Sequence, residues 1–504
     1  MRSGHQLPHP AETASVDKRA FSPYKDLYPM TIESVSFIES ITPTKVRFVE
    51  ECSLKGESRA EGAHPAHASA LQLSRDRFLL FFSTRGWRGV DDDLSVVYQL
   101  RRGRWDGEII KEGFVSQTKT GWVPPRIDRA CSRQHGHVTG FGVPLGALIN
   151  GRRVPHENRF VVMWRQVGRI LDPATGFLHE NAHDPELWEK SSDAHWRQFR
   201  LNDAGTDLEW LTEPCALRRV GHEGDPCAIP DRPDIANMIK GFVPAVAAND
   251  DCSDWVDVNS VGYVGGATRG GYMPGTSLVT ALYSFDSASG LYQWKSAGPV
   301  SARGKNEGSI ARWRGKFVLM GRQCGKASAE DIRSGTFRHQ VNYFLTDDPV
   351  GTFPDFQPAP DQPSWSPRTL FEGPDGGLWK LGGCRVHSPY AEERNPAFLS
   401  VIDPENHFRV AAVQTLCDAV ETNPNIPSPW VDFPKPLPHT GGQEQWVIYR
   451  VRSNRLPNFQ AAGEAVPASA ATPDELAAAG IYASRIRYRE AQPAVWSFDP
   501  ESRT

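Results

Sequence analysis

Short apolar runs recur along the chain, separated by Gly, Asp, Asn and Pro: RFLLFFSTR, LSVVYQLRR, RFVVMWRQV, SLVTALYSFD, KFVLMGR, QVNYFLTDD, GLWKLGG, AFLSVID and QWVIYRVRS. Runs of this length and β-branched or aromatic content, bounded by turn residues, predict strands joined by tight connections. Two units repeat. The first is an apolar pair, a polar turn, and a strand ending in Arg or Gly: SALQLSRDRFLLFFSTR (69–85), GSIARWRGKFVLMGR (308–322) and TLFEGPDGGLWKLGG (369–383). In the second copy, apolar Ile310, Trp313, Phe317 and Leu319 flank Arg314-Gly315, a hairpin signature. The second unit is a strand, an acidic turn, Gly and an aromatic: LYSFDSASGLYQW (282–294), FRLNDAGTDLEW (199–210) and YFLTDDPVGTF (343–353). Their alternation predicts four-stranded antiparallel blades around an axis. The fold class expected is all-β, a six-bladed β-propeller, with five or seven blades satisfying the same pattern. The one strong helix signal is TPDELAAAG (472–480), with Thr472 as N-cap, Pro473 in the first turn and Gly480 as the stop. It falls in an Ala-rich stretch, about 460–480, expected to be a surface insertion. Residues 1–45 read as an N-terminal extension and 46–504 as one propeller. The strand-like IYASRIRYR (481–489), or WSFD (496–499), is expected to complete a blade shared with the N-terminus.

Composition changes this picture little. The 504 residues carry 44 Gly, 40 Pro and 15 Trp, which suits a turn-rich β protein. A net charge of −4 supplies no electrostatic case for nucleic acid or an anionic membrane surface. No apolar run approaches the length of a membrane-spanning helix. MRSGHQLPHPAETASVDKR lacks the apolar core of a secretory signal, so cytoplasmic placement is expected, with a periplasmic or secreted mature form as the alternative. The eight cysteines form no C-x-x-C pair and read as mostly buried, reduced thiols.

Several segments carry chemistry. Glu307 precedes one strand of a hairpin and Arg322 ends the other, so both lie near one end. The pair reads as a surface ion pair or as two walls of an anion-binding or catalytic site. In RACSRQHGHVTGFGVP (129–144), His135 and His137 at i and i+2 share one face of an extended strand, and two imidazoles there could move a proton or hold a metal. Gly136 between them permits close approach. NDDCSDWVDVNS (249–260) concentrates Asp250, Asp251, Asp254 and Asp257, which could hold a structural calcium ion, although the spacing is not that of an EF-hand. No other cofactor is expected.

The second unit resembles the Asp-box of sialidase-type propellers, with Ser284, Asp286, Gly290 and Trp294 in the matching order and extra residues between them. The first unit is similar to the opening blade of the sialidase family. His67-Ala68-Ser69-Ala70-Leu71 is followed by Leu79-Leu80-Phe81-Phe82, Arg85, Asp91-Asp92-Asp93 and Val96-Val97-Tyr98. Later, Asn306-Glu307-Gly308-Ser309 and Met320-Gly321-Arg322 resemble the family's Asn-Glu-Ser and Met-x-Arg. The likeness spans about residues 64–455. It implies one of Asp91, Asp92 and Asp93 as general acid/base, Asp92 being preferred because its separation from His67 suits the family, and Glu307 on the site floor polarising a nucleophile or water. It also implies Arg322, with Arg385 or Arg394, as a clamp for a substrate carboxylate, and Arg85 beside them. Two positions depart from the family: His67 stands in place of its first arginine, and IPSPWVDF (426–433) occupies the region of its nucleophilic Tyr. His67 before an x-x-Ala-Leu strand also resembles propeller polysaccharide lyases. That likeness implies His67 or His135 as the base for β-elimination at a uronate, helped by Arg322 and Tyr390, while His137 is expected to contact the substrate. The expected partner is an oligosaccharide or polysaccharide. A non-catalytic glycan-binding propeller is the third alternative.

Overall fold

The structure is a computed structural model, describing residues 37–44, 64–85, 95–115, 117–118, 121–122, 131–170, 193–219, 228–229, 235–240, 243–263, 277–301, 305–323, 340–351, 357–363, 368–383, 395–422, 429–453 and 480–501. It is a six-bladed β-propeller of antiparallel sheets, with one four-residue helix, Ala419–Thr422, among the described residues. Blade 1 runs from the axis outward as His64–Ser74, Arg77–Arg85, Ser95–Arg102 and Ile109–Phe114. Blade 2 is Cys131–Val143, Arg159–Ile170, Asp193–Leu201 and a divided outer strand, Leu208–Trp210 and Cys215–Arg219. Blade 3 has a divided inner strand, Ile235–Lys240 and Val246–Ala247, then Asp254–Tyr263, Ser277–Asp286 and Leu291–Ala297. Blade 4 is Lys305–Trp313, Lys316–Gln323, Gln340–Thr346 and Gln357–Pro363. Blade 5 is Thr369–Glu372, Leu378–Gly383, Ala397–Asp403 and Arg409–Cys417. Blade 6 is Pro429–Pro436, Gly442–Ser453, Gly480–Gln492 and, from the start of the chain, Ile38–Pro43.

The first repeat unit is the inner hairpin of blades 1, 4 and 5, and the second is the outer hairpin of blades 2, 3 and 4. The Arg314-Gly315 turn has both residues at positive φ, 49° and 79°, the geometry that matches strand twist in a two-residue hairpin. At 286–293 the Asp286 carboxylate accepts from the Ala288 and Ser289 amides, each at 3.1 Å, and from the Gln293 side chain at 3.0 Å.

Six apolar clusters fill the six interfaces between neighbouring blades, and this explains the continuous apolar runs. Leu79 and Phe81 face blade 2, while Phe78, Leu80 and Phe82 face blade 6. Ile310, Phe317 and Leu319 face blade 3, while Ala311, Trp313, Val318 and Met320 face blade 5. A strand buried on both faces has no polar side to present, so its sequence loses the usual alternation. The ring closes where Ile38, Tyr482, Ile486 and Tyr488 of blade 6 meet Trp379, Leu381 and Leu399 of blade 5. Of the two C-terminal candidates, 481–489 lies in the strand of blade 6 that pairs with the N-terminal strand, while Ser497–Phe498 pairs with Ala147–Leu148. The 472–479 helix signal lies outside the described residues.

Polar bonds lock the blades as well. Buried His156, in the turn after the inner strand of blade 2, donates from Nε2 to the Asp251 carbonyl of blade 3 at 2.7 Å. Burial holds its pKa below the ordinary 6.5, outweighing the pull of that carbonyl. Above pH 6.5 folded and unfolded chains both carry the neutral ring. Below it the unfolded chain takes the proton first, so stability falls as pH falls. His439 is shifted in the same direction, also by burial. The melting temperature is therefore expected to drop between pH 7 and pH 5.5, and His156→Gln to flatten that drop. An equal slope in the variant would refute the assignment.

The cysteine expectation needs one correction. Cys215, on the half-buried outer edge of blade 2, is disulfide-bonded. Cys252 and Cys417 are not disulfide-bonded and lie buried inside blade interfaces, where an apolar neighbourhood suits a thiol. No helix among the described residues is long and apolar enough to cross a membrane.

Candidate functional site

The two faces of the propeller differ. One carries the turns inside the inner and outer hairpins, such as 75–76, 314–315, 373–377, 202–207 and 287–290. The other carries the C-terminal ends of the second strands and the N-terminal ends of the third strands. It also receives the N-terminal ends of the inner strands, which approach one another around the axis. His67, Glu307 and Arg322 all lie toward this second face, at strand ends held by the rigid scaffold of the blades.

Four inner strands share an irregularity there. Pairing slips between Ala66 and Ser69, opposite the Gly136–Thr139 stretch, between Asn306 and Ser309, and between Asp432 and Lys435. Each bulge holds one non-glycine residue in the left-handed region: His67 at φ 53°, His137 at 52°, Glu307 at 49° and Phe433 at 53°. Such a conformation costs about 1–2 kcal/mol for an L-residue. Observed strain of this kind gathers at functional sites, and a bulge re-aims the side chain it carries. The residue two positions later is buried and polar each time: Ser69, Thr139, Ser309 and Lys435. Ser309 Oγ accepts from the Leu370 amide of blade 5 at 2.9 Å, and Lys435 Nζ donates to the Val138 carbonyl of blade 2 at 3.1 Å. The bulges thus hold the centre of the ring together while turning four side chains out of register.

Those side chains meet. The His67 and His137 rings lie 4.6 Å apart, centroid to centroid, and Phe433 stands edge-on to them at 4.3 and 5.4 Å. Three blades therefore contribute one ring each. In blade 4, Glu307 Oε2 pairs with Arg322 Nη1, and both side chains are largely buried, at 14% and 11% exposure. That degree of burial separates the pair from an exposed ion pair of little worth. Arg322 sits opposite Asn306 in the ladder, so the bulge swings Glu307 toward the guanidinium one position away.

Arg85 closes the second strand of blade 1, paired with His64, and His135 lies in the inner strand of blade 2, paired with Gln166. Asp92, Arg385, Tyr390 and Arg394 lie outside the described residues. The 249–254 stretch is the turn after the inner strand of blade 3. There Asp250 pairs with Arg312 at 2.5 Å and Asp251 accepts from the Ser253 amide at 3.0 Å, while Asp257 is buried in the following strand. Among the described residues no group of three or more His, Cys, Asp or Glu could hold a metal ion. Sequence reasoning missed Phe433 and Lys435. The signal was available in VDFPKP, which sits in its blade as NEGS and HVT sit in theirs, but the bulge that aligns them cannot be seen without the register.

No family model and no curated protein matches the chain. Among solved structures, Trypanosoma rangeli sialidase in complex with sialic acid is similar over 90% of this chain, at 9% identity and a TM-score of 0.51. A protein of unknown function from Dyadobacter fermentans is similar over 90% of this chain and all of its own, at 12% identity and a TM-score of 0.49. A mutant NanB sialidase from Streptococcus pneumoniae is similar over 81% of this chain and 67% of its own, at 8% identity and a TM-score of 0.45. This chain spans only 59% of the length of the Trypanosoma protein. In fold, the chain is a divergent sialidase-like β-propeller.

Proposed function

We propose that this protein is a carbohydrate-active enzyme that hydrolyses the glycosidic bond of a terminal acidic sugar. The observation carrying the proposal is the Glu307–Arg322 pair, largely buried and set on a strained bulge toward the face that receives the inner strand ends. In this reading Glu307 takes a proton from water, and Arg322 holds it in place. The Arg322 fork, joined by Arg385 or Arg394, receives the sugar carboxylate, for which a bidentate guanidinium is the matching group. Asp92 gives a proton to the leaving oxygen. Arg85, His137 and Tyr390 contact the sugar. Two carboxyl groups with water between them give inversion at the anomeric carbon. That the similar Trypanosoma structure was solved with sialic acid supports an acidic sugar as the class of ligand.

A second reading has its own observation. The buried His67 ring, 4.6 Å from His137, suits a base that removes the proton next to a uronate carboxylate. In that reading Arg322 neutralises the carboxylate, and His135 is the alternative base.

One experiment separates them. Incubation with a panel of sialate- and uronate-terminated oligosaccharides is followed by reducing ends and by near-ultraviolet absorbance. Reducing ends without absorbance are expected, since hydrolysis creates no double bond. Rising absorbance would replace hydrolysis by elimination and move the base to His67. Silence in both signals across the panel would leave a glycan-binding propeller. The Cys215 disulfide supports an exported mature form over the cytoplasm, because disulfides persist in oxidising compartments.

A further inference from the structure

Phe433 meets side chains of several other blades. It belongs to blade 6, where its bulge lies between Asp432 and Lys435. Its ring stands against His67 of blade 1 and His137 of blade 2. It also packs against the apolar cluster shared by blades 3 and 4, which contains Val243, Val258, Leu278 and Ile310. Contact with blades on opposite sides of the ring is available only on the axis. The backbone around it is tied across the same centre: the Pro434 carbonyl accepts from Thr369 Oγ1 of blade 5 at 2.8 Å, and Lys435 Nζ reaches the Val138 carbonyl of blade 2. The Glu307 bulge abuts the same apolar cluster, since a Cβ on Gly308 would meet Val258 at 2.7 Å and Leu278 at 3.0 Å. Phe433 therefore lies between the histidine pair and the wall that carries Glu307. The residue is only partly buried.

We propose that Phe433 plugs the central channel and forms the apolar floor of the site, against which the C–H face of the bound sugar rests. This rests on the proposed reading of the site as a sugar site, and it names the residue that sets depth and shape there. An aromatic ring is suited to it: large, with two side-chain torsions and no polar atom to satisfy. The region that the sialidase resemblance assigns to a nucleophilic Tyr ends, in this chain, at a ring without a hydroxyl. Phe433 accordingly offers contact and no covalent chemistry.

The test uses Phe433→Tyr, Phe433→Leu and Phe433→Ala in the full chain, with two readouts. The first needs no glycan. Deleting the plug should leave an apolar axial cavity, so benzene should raise the melting temperature of Phe433→Ala and leave that of the parent unchanged. Loss of the ring current should also shift the ring resonances of His67 and His137 in both Phe433→Ala and Phe433→Leu, which covers the case that the alanine variant does not fold. The second readout is kinetic. Contact that is equal in ground and transition states acts on KM, so Phe433→Leu should raise KM about tenfold with kcat little changed, and Phe433→Tyr should restore it. Unmoved histidine resonances in Phe433→Leu would overturn the plug. Moved resonances with an unchanged KM on a cleaved substrate would overturn the floor. If no acidic glycan is cleaved, the function above fails while the resonance and benzene measurements still decide whether Phe433 is the plug.

Discussion

Glu307→Gln is expected to lower kcat on the acidic glycoside that the enzyme accepts by about 10²–10⁴-fold, the range for removing a positioned general base. The amide keeps the size and left-handed backbone of the residue and can still accept a hydrogen bond from Arg322, so substrate binding should change far less than turnover. Stability changes too, for a separate reason. Glu307 and Arg322 are 14% and 11% exposed. Removing one charge leaves the other largely buried with its counter-charge gone, which costs about 1–3 kcal/mol. Arg322→Gln should show the same cost. The double variant Glu307→Gln, Arg322→Gln should recover much of it, because two neutral amides can bond to each other. The thermodynamic cycle over the four proteins measures that coupling directly. Catalysis should not recover. A double variant that regained both melting temperature and turnover would show that the pair is structural and that Glu307 is no base. Equal turnover in Glu307→Gln and the parent would remove Glu307 from the mechanism at once.

The fold could be read from the sequence because its repeat is carried by short-range signals. RFLLFFSTR is apolar on both faces since Leu79 and Phe81 serve one interface and Phe78, Leu80 and Phe82 the next. The turns between hairpin strands announce themselves through Arg314-Gly315 or Asp286 to Gly290. What stayed hidden depends on register across the ring. His67, His137, Glu307 and Phe433 are as much as 366 positions apart in number, yet occupy one kind of bulge in four blades. No single residue type recurs in all four bulges (HAS, HVT, EGS, FPK), so composition alone does not betray the repeated geometry. Phe433 was invisible for this reason, while Glu307 and Arg322 were visible because one hairpin joins them. The proximity of His67 to His137 was likewise beyond a reading that paired His137 with His135 along its own strand. The disulfide of Cys215 carries no C-x-x-C signal and escaped for the same want of a local pattern. Asp92, Arg385, Tyr390 and Arg394 remain proposals from the resemblance, to be tested by the substitutions that test Glu307.

Deleting residues 1–44 is expected to cost the protein most or all of its stability. These residues include the outer strand of blade 6, Ile38–Pro43, which pairs with the strand Gly480–Gln492 through Ile38 opposite Tyr488 and Ile41 opposite Ile486. Its ends are tied as well: Arg489 donates its amide to the Phe37 carbonyl at 2.9 Å, and the Thr44 amide donates to the Ala483 carbonyl at 2.8 Å. Phe37 stacks on Tyr488 at 6.0 Å and meets Trp379 of blade 5 edge-on at 5.2 Å, so the strand closes an interface between blades and not only an edge. Losing the buried Ile38 and the Phe37 contacts corresponds to about 2–5 kcal/mol for each large apolar side chain removed from a core. A domain holds only about 5–15 kcal/mol in total. The deletion also bares the Gly480–Gln492 edge, with Tyr482, Ile486 and Tyr488 beside it, and a long apolar edge recruits other chains. The truncated protein should therefore melt far below the parent or aggregate on expression. A peptide covering residues 35–46, supplied in trans, should bind the open edge and raise the melting temperature, as added strands do at exposed sheet edges. The same peptide with Ile38→Asp should fail, because that side chain must enter a cluster formed by Trp379, Leu381 and Tyr488. A truncated protein that melts within a few degrees of the parent, and ignores the peptide, would show that the ring is closed by blade packing alone.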